Sequence, residues 1–397
     1  MAEKIMTPAE YYKKISKEDK DAIINLGDRK GFDFVPTGSW VMNFLIGDGN
    51  NTNSPGGFPR GHVVEVFGDE SSGKTTMALS ACKQAQDMGG VPVFVDFERT
   101  FHKQYALNMG LDLSPEKFIL MEPRYFEHGA RMIKDVLMTR PPIIVVDSVS
   151  AMIPKQFLEG QVDESGRIGL QAQLMSAYLA HITKYLQPYN TCLLFTNQLR
   201  SVIKQSKWDT GPEEETSGGR AIRFYSSLRI KMKKGMVERV SAKNIITGKK
   251  EKEPVSVIVK ITVVKNKIDK PYRTGPVYIR FGKGFDNIMS LIEFGINNGV
   301  IKASGPYYKF DKDGEQLFNL SGKEAVRDFL EKNDKVHSKL QDELKKTMIE
   351  DQKAAEEYAE EQESTEDDVE ALLGNISESF VEKKTEEKTG KRKKSDD

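Results

Sequence analysis

Cysteine is nearly absent: Cys82 and Cys192 are the only two in 397 residues, far apart and each in apolar surroundings. That excludes a disulfide framework and a cysteine-rich zinc site, and leaves two lone buried thiols. No apolar run is long enough to span a bilayer, and the opening "MAEKIMTPAEYYKK" lacks the apolar centre of a signal peptide. A soluble, cytoplasmic protein with no membrane partner is expected. Net charge is absent too, because 59 basic and 59 acidic residues cancel. Any nucleic-acid surface must therefore come from local segregation of charge. No internal repeat of solenoid or propeller period is present. What remains is a chain long enough for an enzyme-sized core with appendages.

Four parts follow from the pattern. Residues 1–35 are highly charged, and within them "PAEYYKKISKEDKDAIINLG" reads as one short amphipathic helix, too small to be a domain and suited to docking in an oligomer. Residues 36–284 alternate β-branched runs ("HVVEVFG", "VPVFVDFE", "PIIVVDS", "TCLLFTNQ") with helical patterns, the signature of an α/β fold with a mainly parallel, twisted sheet flanked by helices. Residues 285–345 mix helical and aromatic segments and read as a small α+β domain. Residues 346–397 are acidic and then basic at "KTGKRKK", the composition of a disordered tail.

The strands of such a sheet end in polar residues where ligands bind. Gly68, Gly73, Lys74 and Thr75 in "GDESSGKTT" satisfy G-x-x-x-x-G-K-(S/T) between a strand and a helix. Loop amides over Gly68, Asp69, Glu70, Ser71, Ser72 and Gly73 cradle phosphate at the helix start, which continues through Thr76. Lys74 neutralises β/γ oxygens, and Thr75 ligates Mg2+. Asp147 ends "PPIIVVD" and suits the same Mg2+. Asp96 and Glu98 lie at i and i+2, on one face of an extended segment, with Glu98 able to polarise an attacking water. Gln198, after Asn197 at the end of "LLFTNQ", is placed to sense a γ-phosphate or to cap the following loop.

The order "PTGSWVMNFLIG", "FGDESSGKTT", "VDFE", "VVDSVSAMIPK", "NQLR", "SGGRAIRFYSSLRI" and "VVKNKI" resembles the bacterial RecA family of strand-exchange recombinases, from Pro36 to the "GPYYKF" segment. The resemblance implies a RecA-type P-loop NTPase core that uses ATP and Mg2+. It implies that Glu98 activates water, that Gln198 reports the γ-phosphate, and that Tyr105 stacks on adenine. Lys265 and Lys267 would reach the nucleotide of a neighbouring subunit, with Phe224 at the same boundary.

It also implies two DNA-binding loops, residues 159–176 and 200–219, neither of which shows helix or strand periodicity. Ile168, Ile203 and Trp208 would wedge between bases, Gly218 and Gly219 would offer backbone N–H groups to phosphates, and Ser176, Arg200 and Arg220 would add contacts. The chain departs from the family at Gln173 and Ala180, where arginines are expected, and at His102, where an aspartate is. A longer second loop, the insertion "GNNTNSPGGFP" and an extended hairpin suggest a divergent, phage-encoded member. The expected partners are single-stranded DNA, double-stranded DNA, further copies in a helical filament, and single-strand-binding and loading proteins. The setting is a bacterial cell or a phage-infected one. The competing readings are a hexameric helicase-like DNA motor on the same core and a non-catalytic DNA-filament scaffold.

Overall fold

The computed structural model of the chain describes residues 31–47, 56–161, 163–201, 214–243 and 250–347, with residues 14 and 350. Nearly all of the expected N-terminal helix, part of the insertion, Ile203 and Trp208 of the second loop, and the tail beyond residue 350 lie outside the described residues. The chain forms two compact units, divided after Phe294.

In the first unit, β1 (Phe34–Val35) pairs antiparallel with β2 (Phe58–Pro59), and α1 (Trp40–Ile46) lies between them in sequence. The main sheet takes β3 (Val63–Gly68), β4 (Val93–Asp96), β5 (Ile119–Met121), β6 (Ile143–Asp147) and β7 (Cys192–Ser201). It continues with β8 (Glu214–Thr216), β9 (Leu228–Lys243), β10 (Lys250–Asn266), β11 (Thr274–Arg280) and β12 (Gly284–Phe285). Their order is β12-β11-β10-β9-β3-β7-β6-β4-β5, with β8 paired to β7. The six strands from β9 to β5 run parallel, and β10, β11 and β12 extend the sheet antiparallel.

Every residue of β3, β4 and β6 is buried. Helices cover both faces of such strands, which is why they read as continuous apolar runs rather than alternating ones. The helices are α2 (Lys74–Asp87), α3 (Lys103–Asn108), α4 (Phe126–Val136), α5 (Lys155–Leu158), α6 (Glu164–Tyr189) and α7 (Arg220–Tyr225). Residues of α4 and α6, among them Ile133, Met175 and Leu179, join Val63 of β3 and Leu193 and Phe195 of β7 in one core.

Two expectations are corrected. The first loop is largely helix: α6 starts at Glu164, inside the segment read as aperiodic. Asp163 caps it by accepting the Gly166 N–H at 2.8 Å. Gln171, Met175, Leu179, Ile182 and Leu186 are buried at helical spacing along it. Gly166 and Gly169 obscure that stripe without breaking it. The second loop begins and ends as strand, because β7 runs on to Ser201 and β8 returns beside it, with Arg200 opposite Glu215 in the ladder.

The long hairpin is present. β9 and β10 are 16 and 17 residues long and pair from Leu228–Asn266 out to Lys243–Lys250. Helix α8 (Asn287–Asn297) follows β12. The second unit contains an antiparallel sheet of β13 (Lys302–Ser304), β14 (Tyr307–Lys312) and β15 (Glu315–Ser321), then α9 (Lys323–Lys332) and a helix over residues 334–347. Ile301, Phe310, Phe318, Val326, Leu330, Leu340 and Leu344 are its buried apolar residues among those described.

Candidate active site

Parallel register brings the candidate residues to one edge. Gly68 lies beside Gln198, and Asp96 lies beside Asp147. Beyond these strand ends is a cleft of about 410 Å3, lined by the loop from Glu70 to Thr76 together with Glu98, Tyr105, Asp147 and Gln198.

The phosphate loop is shaped for close approach. Gly73 sits at φ +89°, and a Cβ there would fall 2.4 Å from Ile279 Cδ1. As the residue before α2, Gly73 offers no side-chain cap, so the first amides of this 14-residue helix are left for a ligand. The Ser72 hydroxyl is buried without a hydrogen-bond partner. Lys74 folds back over the loop, its Nζ donating to the carbonyls of Gly68 at 3.0 Å and Asp69 at 2.6 Å. Burial holds its pKa below the usual lysine value, against the opposing charges of Asp147, Asp69 and Glu98.

Thr75 donates to Asp147 Oδ2 at 2.8 Å, and Thr196 donates to the other carboxylate oxygen. Burial pushes the Asp147 carboxyl up, the two hydroxyl bonds hold it down, and the charges of Glu98 and Asp96 push it up further. Ser148 donates to Glu98 Oε1 and shares a hydrogen bond with Ser150. The Asp96 carboxylate turns away from the cleft and accepts the N–H groups of Arg99 and Phe101, each at 2.8 Å. It shapes the turn that presents Glu98, so the expected pairing of Asp96 and Glu98 on one extended face does not form. The strand ends at Asp96, and Phe97 enters the core.

Tyr105 is held by its hydroxyl, 2.8 Å from Thr76 Oγ1, and by the cap on its helix, where His102 Nδ1 accepts the Tyr105 N–H at 3.0 Å. The histidine thus has a local structural task. Val257, Ile279 and Phe281 complete the apolar lining from β10, from β11 and from the residue after it. None of these three carries a local sequence signal; strand order brings them here, as it brings Thr196 of β7 to Asp147, whereas Ser148 follows Asp147 in the chain.

The cleft suits a nucleotide with Mg2+. Uncapped helix amides, a buried unpaired hydroxyl and a lysine match phosphate chemistry. A threonine hydroxyl beside one carboxylate matches a hard cation that keeps water and phosphate oxygens as its remaining ligands. Among the described residues no cluster of three or more His, Cys, Asp or Glu forms an all-protein metal site.

Lys265, Lys267 and Phe224 do not reach the cleft of their own chain. Lys265 pairs with Arg229 in the ladder, near the start of β9, whereas the phosphate loop lies beyond Gly68, which pairs with Met232. Lys265 Nζ donates to the carbonyls of Arg223 at 2.8 Å and Phe224 at 3.1 Å, which closes the end of α7. Burial, with Lys267 and Arg229 adding, lowers its pKa. The Phe224 side chain is 68% exposed.

Ile168 is 59% exposed on α6, and Ser176, Gln173 and Ala180 are exposed on the same helix. Gly219 and Arg220 are exposed, while Gly218 is buried. Gly218 sits at φ +86°, and a Cβ there would lie 2.7 Å from Val149 Cγ1, so backbone conformation and close packing both require glycine at that position. Lys233 and Lys260 are cross-strand partners and both exposed. Among the described residues no helix is long and apolar enough to cross a membrane.

The family model described as the RecA N-terminal domain matches residues 9–286. The chain is 34% identical over 331 residues to a protein named Protein RecA from Thermotoga neapolitana, covering 82% of this chain and 88% of that one. It is 36% identical over 329 residues to Protein RecA of Mesoplasma florum, covering 82% and 91%. It is 35% identical over 333 residues to Protein RecA of Streptomyces coelicolor, covering 83% and 82%.

Proposed function

The chain belongs to the RecA family, and from that premise we propose that it forms helical filaments on single-stranded DNA and catalyses homologous pairing and strand exchange with duplex DNA. ATP with Mg2+ is its cofactor, and DNA stimulates its hydrolysis. The observation that carries this reading is the convergence of Lys74, Thr75, Glu98, Asp147 and Gln198 on one cleft at the aligned ends of parallel strands.

Bound ATP supplies a γ-phosphate whose presence or loss distinguishes two states of the subunit. Lys74 exchanges the two loop carbonyls for phosphate oxygens. Thr75 and Asp147, already in contact, hold the metal. Glu98 takes the proton of the attacking water, and the Ser148 hydroxyl fixes the rotation of its carboxylate. Gln198 lines the cleft from β7, which runs on to Arg200 and Ser201 of the second DNA loop, so an amide that holds the γ-phosphate couples that strand end to the nucleotide state. Lys265 and Lys267 complete the cleft of an adjacent subunit, and the exposed Phe224 packs at that boundary. Homology is read by base pairing between the DNA strands. Single-strand-binding and loading proteins are the expected helpers, in the cytoplasm of a bacterial cell or a phage-infected one.

Electron microscopy of the protein with single-stranded DNA and a non-hydrolysable ATP analogue tests this directly. Open helical filaments are expected, and none from Lys74→Ala. Closed rings would establish a translocating motor instead. Filaments without any ATP turnover would leave a scaffold.

A further inference from the structure

The short turn after Asp147 is gripped from two directions that the nucleotide cleft does not account for. It runs over Val149–Ala151 and begins one residue beyond Ser148, the partner of Glu98. From one side comes Gln171 of α6, itself buried. Its Nε2 donates to the Val149 carbonyl at 2.9 Å and the Met152 carbonyl at 3.0 Å. From the other side comes Gly218, packed so closely that a Cβ would sit 2.7 Å from Val149 Cγ1, while a Cβ on the next residue, Gly219, would sit 2.7 Å from Ala172 Cβ. One buried valine therefore meets the helix bearing Ile168 and the exit of the segment that ends at Gly219.

We propose that Gln171 is a positioning residue that transmits DNA occupancy of α6 to the hydrolytic end of the cleft, through the carbonyls of Val149 and Met152. Both hydrogens of one side-chain amide are committed to two backbone groups of the turn, and a shift of α6 must carry that turn with it or break two buried bonds. Ser148 and Asp147 immediately precede the turn, so such a shift moves the partner of Glu98 and the candidate metal ligand together. Gln171 touches neither DNA nor nucleotide in this scheme. The inference rests on the proposed reading of Glu98 and Asp147 and extends it.

Gln171→Met keeps the length of the side chain and removes both donors. ATP turnover with and without single-stranded DNA, single-strand affinity and binding of a fluorescent ATP analogue would be measured on it. The expected result is DNA-free turnover and both affinities within about threefold of the parent, with DNA stimulation at least tenfold lower. Gln171→Glu gives a second readout. A buried carboxylate facing two carbonyls has a raised pKa, and once protonated it can donate one of the lost bonds. Its stimulation, relative to the parent at each pH, should recover as pH falls, while that of Gln171→Met should not. Parental stimulation in both variants at all pH values would overturn the proposal. So would a parallel fall in DNA-free turnover, DNA affinity and melting temperature, which marks a purely structural bond. Absence of ATP turnover in the parent protein would refute the proposed function instead.

Discussion

Asn197 donates through Nδ2 to the carbonyl of Ser217 at 2.8 Å, and through the same amide to Glu65 Oε1 at 2.9 Å. Its own Oδ1 accepts the N–H of Gln198 at 2.9 Å. The second carboxylate oxygen of Glu65 accepts Arg229 Nε at 2.6 Å, and the guanidinium lies 4.6 Å from the centre of the Phe67 ring. The three polar side chains of this network are buried, and the charged pair is satisfied on both oxygens. The residue beside Gln198 is therefore the one that holds the peptide leading into Gly218.

Asn197→Ala should cost about 1–3 kcal/mol in denaturant unfolding, because it leaves a buried carboxylate oxygen and a carbonyl short of a donor. Asn197→Asp should cost more, since it also sets a second carboxylate against Glu65. Equal stability of Asn197→Asp and the parent near neutral pH would show that the network is solvated rather than buried.

Asp147→Asn separates stability from activity. Burial raises the folded-state pKa of Asp147 above its unfolded value. Between the two values the native state holds a proton that the unfolded chain has lost, so stability falls as pH rises through that window. Above that window the ionised carboxylate is a burden that asparagine removes. The variant should gain in stability on the parent as pH rises through the window, with the gap closing toward acid, while Mg2+-dependent ATP turnover is lost. Thermal melts from acid to neutral pH in the absence of nucleotide check the sign. A variant that loses stability relative to the parent as pH rises would mean that the threonine bonds outweigh burial.

Catalysis across a subunit boundary predicts complementation. Lys265→Ala, Lys267→Ala and Glu98→Gln should each lower DNA-stimulated turnover. Mixing a lysine variant with Glu98→Gln should restore part of it, because some boundaries then combine an intact Glu98 with intact lysines. The ladder position of Lys265, well before the Gly68–Met232 pair, argues against a contact with the cleft of its own chain. Co-assembled mixtures that never exceed the sum of their components would refute the shared cleft.

The elements of the site are legible in the sequence to different degrees, for physical reasons. The loop from Gly68 to Thr76 is a local signal, since the strand, the glycines, the lysine and the helix start are contiguous. Asp147 becomes readable only beside that loop, because an aspartate at a strand end is otherwise an ordinary turn residue. Thr196 and Phe281 are not readable, because they reach the site through strand order. The helix α6 is readable in principle: Asp163 marks its start and Gln171, Met175, Leu179, Ile182 and Leu186 mark its buried stripe. Two glycines and a run of polar residues mask that spacing. The packing of Gly218 against Val149 is not readable either, because the two residues meet only in the fold.

Phe224 offers the sharpest separation of assembly from folding. It is a large apolar side chain, 68% exposed in the single chain, on the short helix whose last carbonyls Lys265 closes. Truncating an exposed side chain usually changes the stability of an isolated subunit by about 0.5 kcal/mol or less, whereas truncating an aromatic anchor at a boundary between subunits costs about 2 kcal/mol or more of association where it is a hot spot. Phe224→Ala should therefore melt within a degree or two of the parent at concentrations where both are monomeric. It should need at least tenfold more protein to assemble on single-stranded DNA, read by light scattering or electron microscopy. Assembly at the parental concentration would remove Phe224 from the boundary. A large drop in monomer melting temperature would show that the ring packs within its own chain.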